Sequence, residues 1–249
     1  MSLNLARDEQ RPPTEQQKVS MKIAPMISAY ALLALSLSGC LAAVIPTNNG
    51  HGRPSAMSGP NSGCADVIFL IETSEVIGPL IPWALNATVT MTAILNIQDQ
   101  CNHAAMVHFS NPNEKTGVLF NLNDLNSQGQ IKQAIDNIDV VSILGISDLD
   151  LGIRTILDKV LVPGQDRTDA PNHVVMFISG YWDQAIDCCP SPFANDAILL
   201  AKSTIYAVDM LGGMFMGNLA DLAGGAGNVY QSNNYMQIAG RICNSIGAC

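Results

Sequence analysis

Residues 64–76 read CADVIFLIETSEV. Asp66 leads into five apolar residues, Val67 to Ile71, too few to cross a membrane and β-branched enough for a buried strand. The run breaks into Glu72-Thr73-Ser74-Glu75, carboxylates and hydroxyls gathered at the strand's C-terminal end. In an open α/β sheet, ligands bind at that edge. The stretch therefore predicts a central strand that delivers a polar loop to a binding edge.

The rest of the chain alternates in the same way. Residues 77–99 carry Ile81, Leu85, Val89, Ile94 and Ile97 at helical spacing, with Pro79 and Pro82 tolerable only in the first turns. Strand-like runs follow at 103–110 and 117–122, separated by the turn cluster Asn111-Pro112-Asn113. Residues 124–138 and 148–161 read as helices, each opened by an aspartate suited to an N-cap or first turn. HVVMFIS at 173–179 is a continuous apolar run, as expected of a central parallel strand covered on both faces. A helix at 195–202, a strand at 204–210, a short helix at 218–222 closed by Gly224-Gly225, a strand at 228–231 and a helix at 236–246 complete the order. Six strands alternating with helices predict an α/β fold: a doubly wound, mostly parallel six-stranded sheet flanked by helices.

Before this domain the chain is organised differently. Residues 1–20 are a polar extension. Residues 21–45 start at Met21-Lys22 and contain an uncharged apolar run, 27–45, with small residues at Ser36, Ser38, Gly39 and Ala42. That composition predicts a secretory signal peptide, with Met21 rather than Met1 as a natural start. The run is also long enough for a membrane anchor, and Leu37-Ser38-Gly39-Cys40 resembles a bacterial lipobox. Residues 46–63 are turn-formers with nothing to bury, a linker. The globular domain is expected over 64–249.

Charge and composition narrow the partners. Of the 12 Lys and Arg residues four precede Ile45, and of the 21 Asp and Glu residues three do, leaving about ten net negative charges on the remainder. Such a surface argues against nucleic acid or an anionic membrane surface as partner. Aromatic residues at 5% argue against a stacking platform for bases or sugars. Cys64, Cys101, Cys188, Cys189, Cys243 and Cys249 follow the leader, an even number that predicts disulfides rather than a zinc site, since no C-x-x-C pair occurs. Asn86-Ala87-Thr88 is an N-glycosylation triplet. The histidines, His51, His103, His108 and His173, are scattered and read as surface or strand residues. No G-x-S-x-G elbow or P-loop is present, and no histidine is placed to activate Ser74. An enzyme is not expected.

The first strand with its polar loop, HVVMFIS, and AILLAKSTIYAVDM followed by a Leu-rich helix and Gly-Gly turn together resemble the von Willebrand factor type A domain family over about 64–246. The resemblance implies a Rossmann-like sheet and an adhesion-type function. It also implies a divalent cation held by three loops at the sheet's top edge, with Asp-x-Ser-x-Ser in the first. Here those positions are Glu72, Ser74 and Val76: the carboxylate is one methylene longer, and the last oxygen is lost. The second loop offers Ser147 or Asp148, and the position implied for the third is Gly180, with Asp183 the nearest carboxylate. Two or three ligands of five predict at most weak cation binding, since Mg²⁺ demands near-octahedral oxygen coordination at about 2.0–2.1 Å.

The loop 180–194, GYWDQAIDCCPSPFA, is long for the family and carries Trp182 as a candidate aromatic anchor beside Glu75 and Asp183 at the binding edge. Because the ends of such a domain lie close together, the resemblance also suggests a clasp from Cys64 to Cys243 or Cys249. The resulting expectation is a secreted module, or one anchored by 27–45, that binds an extracellular protein through its sheet-top loops without an essential metal. The alternative is a self-associating structural or matrix protein.

Overall fold

A computed structural model describes residues 63–97, 101–110, 116–138, 147–181, 193–214 and 216–247. The extension, the apolar leader and the linker up to residue 62 lie outside these, as do the Asn111-Pro112-Asn113 turn, Trp182, Asp183, Cys188, Cys189 and Cys249.

Six strands, β1 (Asp66–Glu72), β2 (His103–Phe109), β3 (Gly117–Phe120), β4 (Asn172–Ile178), β5 (Ser203–Asp209) and β6 (Val229–Gln231), form one sheet in the order β3-β2-β1-β4-β5-β6. Only β3 runs antiparallel to its neighbour. Among the described residues six α-helices cover the two faces: α1 (Ile81–Ile94), α2 (Gln128–Asp136), α3 (Leu149–Thr155), α4 (Phe193–Lys202), α5 (Met216–Leu222) and α6 (Met236–Ile246).

The unbroken apolar character of β1 has a direct cause. Successive side chains point to opposite faces. Val67, Phe69 and Ile71 pack with residues of α1, α2 and α6, while Ile68 and Leu70 pack with residues of α3, α4 and α5. All seven residues of β1 are buried. The second layer sits very close to the sheet at one point: a Cβ on Gly152 of α3 would meet the Phe109 ring at 2.9 Å.

Local chemistry moves several expected boundaries. The helix expected from residue 77 begins as a 3₁₀ turn, Glu75–Leu80, and becomes α-helical only at Ile81, with Pro82 in the first turn where its missing N–H costs nothing. Asp124 does not open α2. Its carboxylate accepts from the Asn121 N–H at 2.7 Å and closes the preceding turn. Ser127 is the cap instead, accepting from the Gln130 N–H while Gln130 reaches back to the Asn126 N–H. Asp148 does cap α3, accepting from the Leu151 N–H at 3.0 Å. The helix expected over 148–161 widens into a π-turn at Ile156–Val160. Gly224 and Gly225 both have positive φ, which lets the chain reverse after α5.

The expected clasp between chain ends is not formed. Cys64 is bonded to Cys101, with Cα atoms 4.7 Å apart. The register explains the pairing. Asp66 lies opposite His103 in the parallel β1–β2 pair, so the residues two positions before each strand meet at the bottom of the sheet. Asn102 fastens the same corner, accepting from the Ala65 N–H at 2.8 Å and donating to Leu95 O at 2.6 Å. Asp66 itself is fully buried and is gripped by Arg167 through Nε at 2.8 Å. Cys243, on α6, is also disulfide-bonded.

Candidate functional site at the top of the sheet

β1 lies between β2 and β4, so the chain runs outward to one side through β2 and β3 and to the other through β4, β5 and β6. The topological switch point therefore falls between the C-terminal ends of β1 and β4, where a crevice opens in sheets of this kind. Glu72, Thr73 and Ser74 arrive there from β1, and Ser179 and Gly180 from β4.

Glu72 is the centre of the arrangement. It is 1% exposed, and its two carboxylate oxygens are each engaged. Oε1 accepts from the Ser74 hydroxyl at 2.5 Å, and Oε2 accepts from the Ser179 backbone N–H at 2.7 Å. The hydroxyls of Ser179 and Ser147 lie close enough to the carboxylate to favour its charged form, and each donates to Tyr181 O at 3.4 Å. Burial pushes the Glu72 pKa up, and the hydrogen bonds from Ser74, Ser179 and Ser147 work against that rise. Three loops thus converge on one carboxyl group.

The geometry resolves the second and third loops. Ser147, not Asp148, meets Glu72, because the Asp148 carboxylate is committed to the α3 N-terminus. In the third loop the residue at the site is Ser179, not Gly180. Gly180 has φ of 71° and serves the turn. The Tyr181 N–H donates back to Ser179 Oγ at 3.0 Å, so the turn places Ser179 against Glu72. Ser179 was discoverable in principle, being the first polar residue after the apolar run of β4; only its contact with Glu72 identifies its role.

Other edge residues divide into those locked inward and those facing solvent. Thr73 is tied to β2, its N–H and its hydroxyl both donating to Phe109 O, at 2.8 and 3.0 Å. Asp209, fully buried at the end of β5, accepts from the N–H groups of Leu211 and Gly213. Val76 packs against the core beside α1. Glu75 is exposed, as are Tyr181 at 40% and Met214 at 68%. Tyr181, which the loop 180–194 carries beside Trp182, is thus an exposed aromatic on this edge.

The family resemblance implies a divalent cation at this edge. A hard cation needs about six oxygen ligands, several of them anionic. Among the described residues the edge offers Glu72, buried with a hydrogen bond on each oxygen, Asp209 and Asp148, which accept from backbone N–H groups, and the solvent-facing Glu75. No cluster of three or more His, Cys, Asp or Glu residues able to hold a metal occurs among the described residues. The donors among the described residues do not fit such an ion.

The remaining candidates lie elsewhere. Asn86 is exposed on α1, whereas Thr88 of the same triplet is buried and donates to Ala84 O at 3.0 Å. His103 and His108 lie on β2, and His173 is buried on β4, stacked 6.0 Å from Tyr206.

The sequence matches no protein of curated function. A family model described as the von Willebrand factor type A domain matches residues 66–242. Among solved structures, proximal thread matrix protein 1 from the mussel byssus superposes with a TM-score of 0.58 at 19% identity, covering 74% of this chain and 46% of that one. A second structure of that protein, described as having a zinc-occupied MIDAS motif, gives 0.57 at 21% identity, covering 73% and 45%. The manganese-loaded TRAP protein of Plasmodium vivax gives 0.60 at 13% identity, covering 72% and 73%. This chain spans less than half the length of the mussel protein, and at these identities the likeness shows the fold alone. Domains of the matched family are in general protein-binding, adhesion-type modules and typically not enzymes. With the sheet order and the family match in agreement, this chain belongs to the von Willebrand factor type A domain family.

Proposed function

We propose that this chain is an extracellular protein-binding module that contacts its partner through the sheet-top loops without an essential metal, its family's cation site having become degenerate. The observation that carries the reading is the closed hydrogen-bond set around Glu72, in which Ser74 and the Ser179 N–H occupy both carboxylate oxygens. A carboxyl group satisfied from within holds three loops in place without an ion. The solvent-facing surface of that edge then includes Tyr181, Met214 and Glu75. Aromatic and methionine side chains supply most contact energy in protein interfaces. In the same reading residues 21–45 direct secretion or anchor the chain, 46–63 are a linker, and Trp182 and Asp183 extend the binding edge. The Cys64–Cys101 bridge suits an oxidising compartment.

Calorimetric titration with Mg²⁺ or Mn²⁺ tests the metal part: no binding tighter than about millimolar is expected. Micromolar binding that disappears in Glu72→Gln overturns it. Capture of a protein from extracellular material, with and without chelator, tests the rest. Chelator should change nothing, and Tyr181→Ala should weaken capture without lowering Tm.

The second reading is a self-associating matrix protein. It draws on the mussel structure, described as a thread matrix protein with the same fold. Light scattering across a concentration series separates the two, since only this one expects growth in mass.

A further inference from the structure

Between α1 and α2 runs a groove of about 500 Å³. Its apolar lining comes from Ile81, Leu85 and Val89 on one side and Ile135 and Ile138 on the other. Asn86 also lines it, and is exposed. The acceptor of the chain's Asn86-Ala87-Thr88 triplet thus stands in the groove itself. From this placement we infer that Asn86 carries an N-linked glycan whose first sugars lie along the α1–α2 groove and cover it.

The chemistry is a group transfer from a lipid-pyrophosphate-linked oligosaccharide. Nδ2 of Asn86 forms the N-glycosidic bond to C1 of the first sugar as the C1–O bond to pyrophosphate breaks. The lipid pyrophosphate leaves with the electron pair of the C1–O bond, and the proton lost by the amide passes to a base of the transferring enzyme. Sugars of this kind present C–H faces as well as hydroxyls, so one side can rest on the aliphatic lining while the other stays hydrated. The exposed Lys132–Asp136 pair at the rim supplies polar partners for the hydroxyls.

The fold also dictates when the transfer occurs. Thr88 is fully buried and its hydroxyl is spent on Ala84 O at 3.0 Å. An enzyme that reads the Thr hydroxyl together with the Asn amide cannot do so once α1 has docked. The glycan is added to the unfolded chain during synthesis, and the folded domain is not an acceptor.

The inference rests on the secretory part of the proposed function. The test is expression of the full chain in eukaryotic cells, followed by peptide-N-glycosidase digestion and non-reducing peptide mapping. A glycan-sized mass lost on digestion, absent in Asn86→Gln and retained in Thr88→Ser, is the expected result. Hydroxyl-radical labelling of the half-buried Leu85 and Val89 should rise several-fold after the native protein is digested, with the exposed Ile198 on α4 as an unchanged control. An oxidised Cys64–Cys101 bridge without a glycan overturns this inference alone. Reduced Cys64 and Cys101 without a glycan overturn the secretory reading as well. A glycan whose removal leaves Leu85 and Val89 labelling unchanged overturns its seat in the groove. Glycosylation of the purified, folded, unmodified protein overturns the timing.

Discussion

The Glu72 carboxylate accepts a 2.7 Å hydrogen bond from the backbone N–H of Ser179, a residue 107 positions further along the chain, and so ties the end of β1 to the end of β4 at the switch point of the sheet. Replacing Glu72 by Ala leaves that N–H and the Ser74 hydroxyl buried without an acceptor. The expected loss is about 2–4 kcal/mol of unfolding free energy in urea, with Glu72→Gln costing about half because one acceptor oxygen survives. A wild-type midpoint for Glu72→Ala would mean the three loops are held by something else.

Two of the groups through which stability responds to pH, Asp196 and His173, act with opposite sign. Burial and the nearby Asp150 charge push the Asp196 pKa from 3.8 up to about 7, so the folded chain keeps a proton that the unfolded chain releases near pH 4. Stability from this group is complete at low pH and falls as pH rises from about 4 to about 7. Burial lowers the His173 pKa from 6.5 to about 4, so the unfolded chain binds a proton first as pH falls. Stability from His173 is complete above 6.5 and is lost as pH falls toward 4. Between those values the two cancel. Asp196→Asn should therefore unmask a rise in stability from pH 4 to 6.5, and His173→Phe a decline over the same range. The steepest limit of each slope is about 1.4 kcal/mol per pH unit. Parallel profiles for the two variants would refute the assignment.

Removing the Cys64–Cys101 bridge as Cys64→Ser/Cys101→Ser frees a loop spanning 37 residues of sequence separation. In the chain-entropy account the cost is about 3–4 kcal/mol. The double variant is preferable to a reductant, because Cys243 is disulfide-bonded too. Guanidinium unfolding of the two proteins measures the difference.

Gly152→Ala should destabilise by about 1–3 kcal/mol, the usual cost of forcing an extra methyl into a packed layer. The new Cβ would lie 2.9 Å from the Phe109 ring. Adding Phe109→Leu to Gly152→Ala should recover part of that loss, and a double-mutant cycle reads the coupling. Strict additivity would show that the layer relaxes elsewhere.

Much of the architecture is legible in residue order. The apolar runs of β1 and β4 read as strands covered on both faces, and they are, since alternate residues feed two separate cores. The aspartate at 148 reads as a helix opener and is one, because an N-cap is a contact within three residues. Misplacements arose where two local devices compete. Asp124 and Ser127 are both credible caps, and only the chain's path decides that the first closes a turn and the second starts α2.

The site was legible only in part, for a different reason. That Glu72 and Ser74 stand at the C-terminal end of a central strand follows from the sequence, because strand ends and polar loops are local features. Which residues meet them does not follow. Ser179 rather than Gly180, Ser147 rather than Asp148, and Cys101 rather than Cys243 or Cys249 as the partner of Cys64 are all decided by the alignment of strands far apart in the chain. A shift of one residue in a strand exchanges the face and the loop position of every side chain in it. Periodicity specifies the elements of this domain; the register between β1, β2 and β4, which only the packed sheet sets, specifies its site.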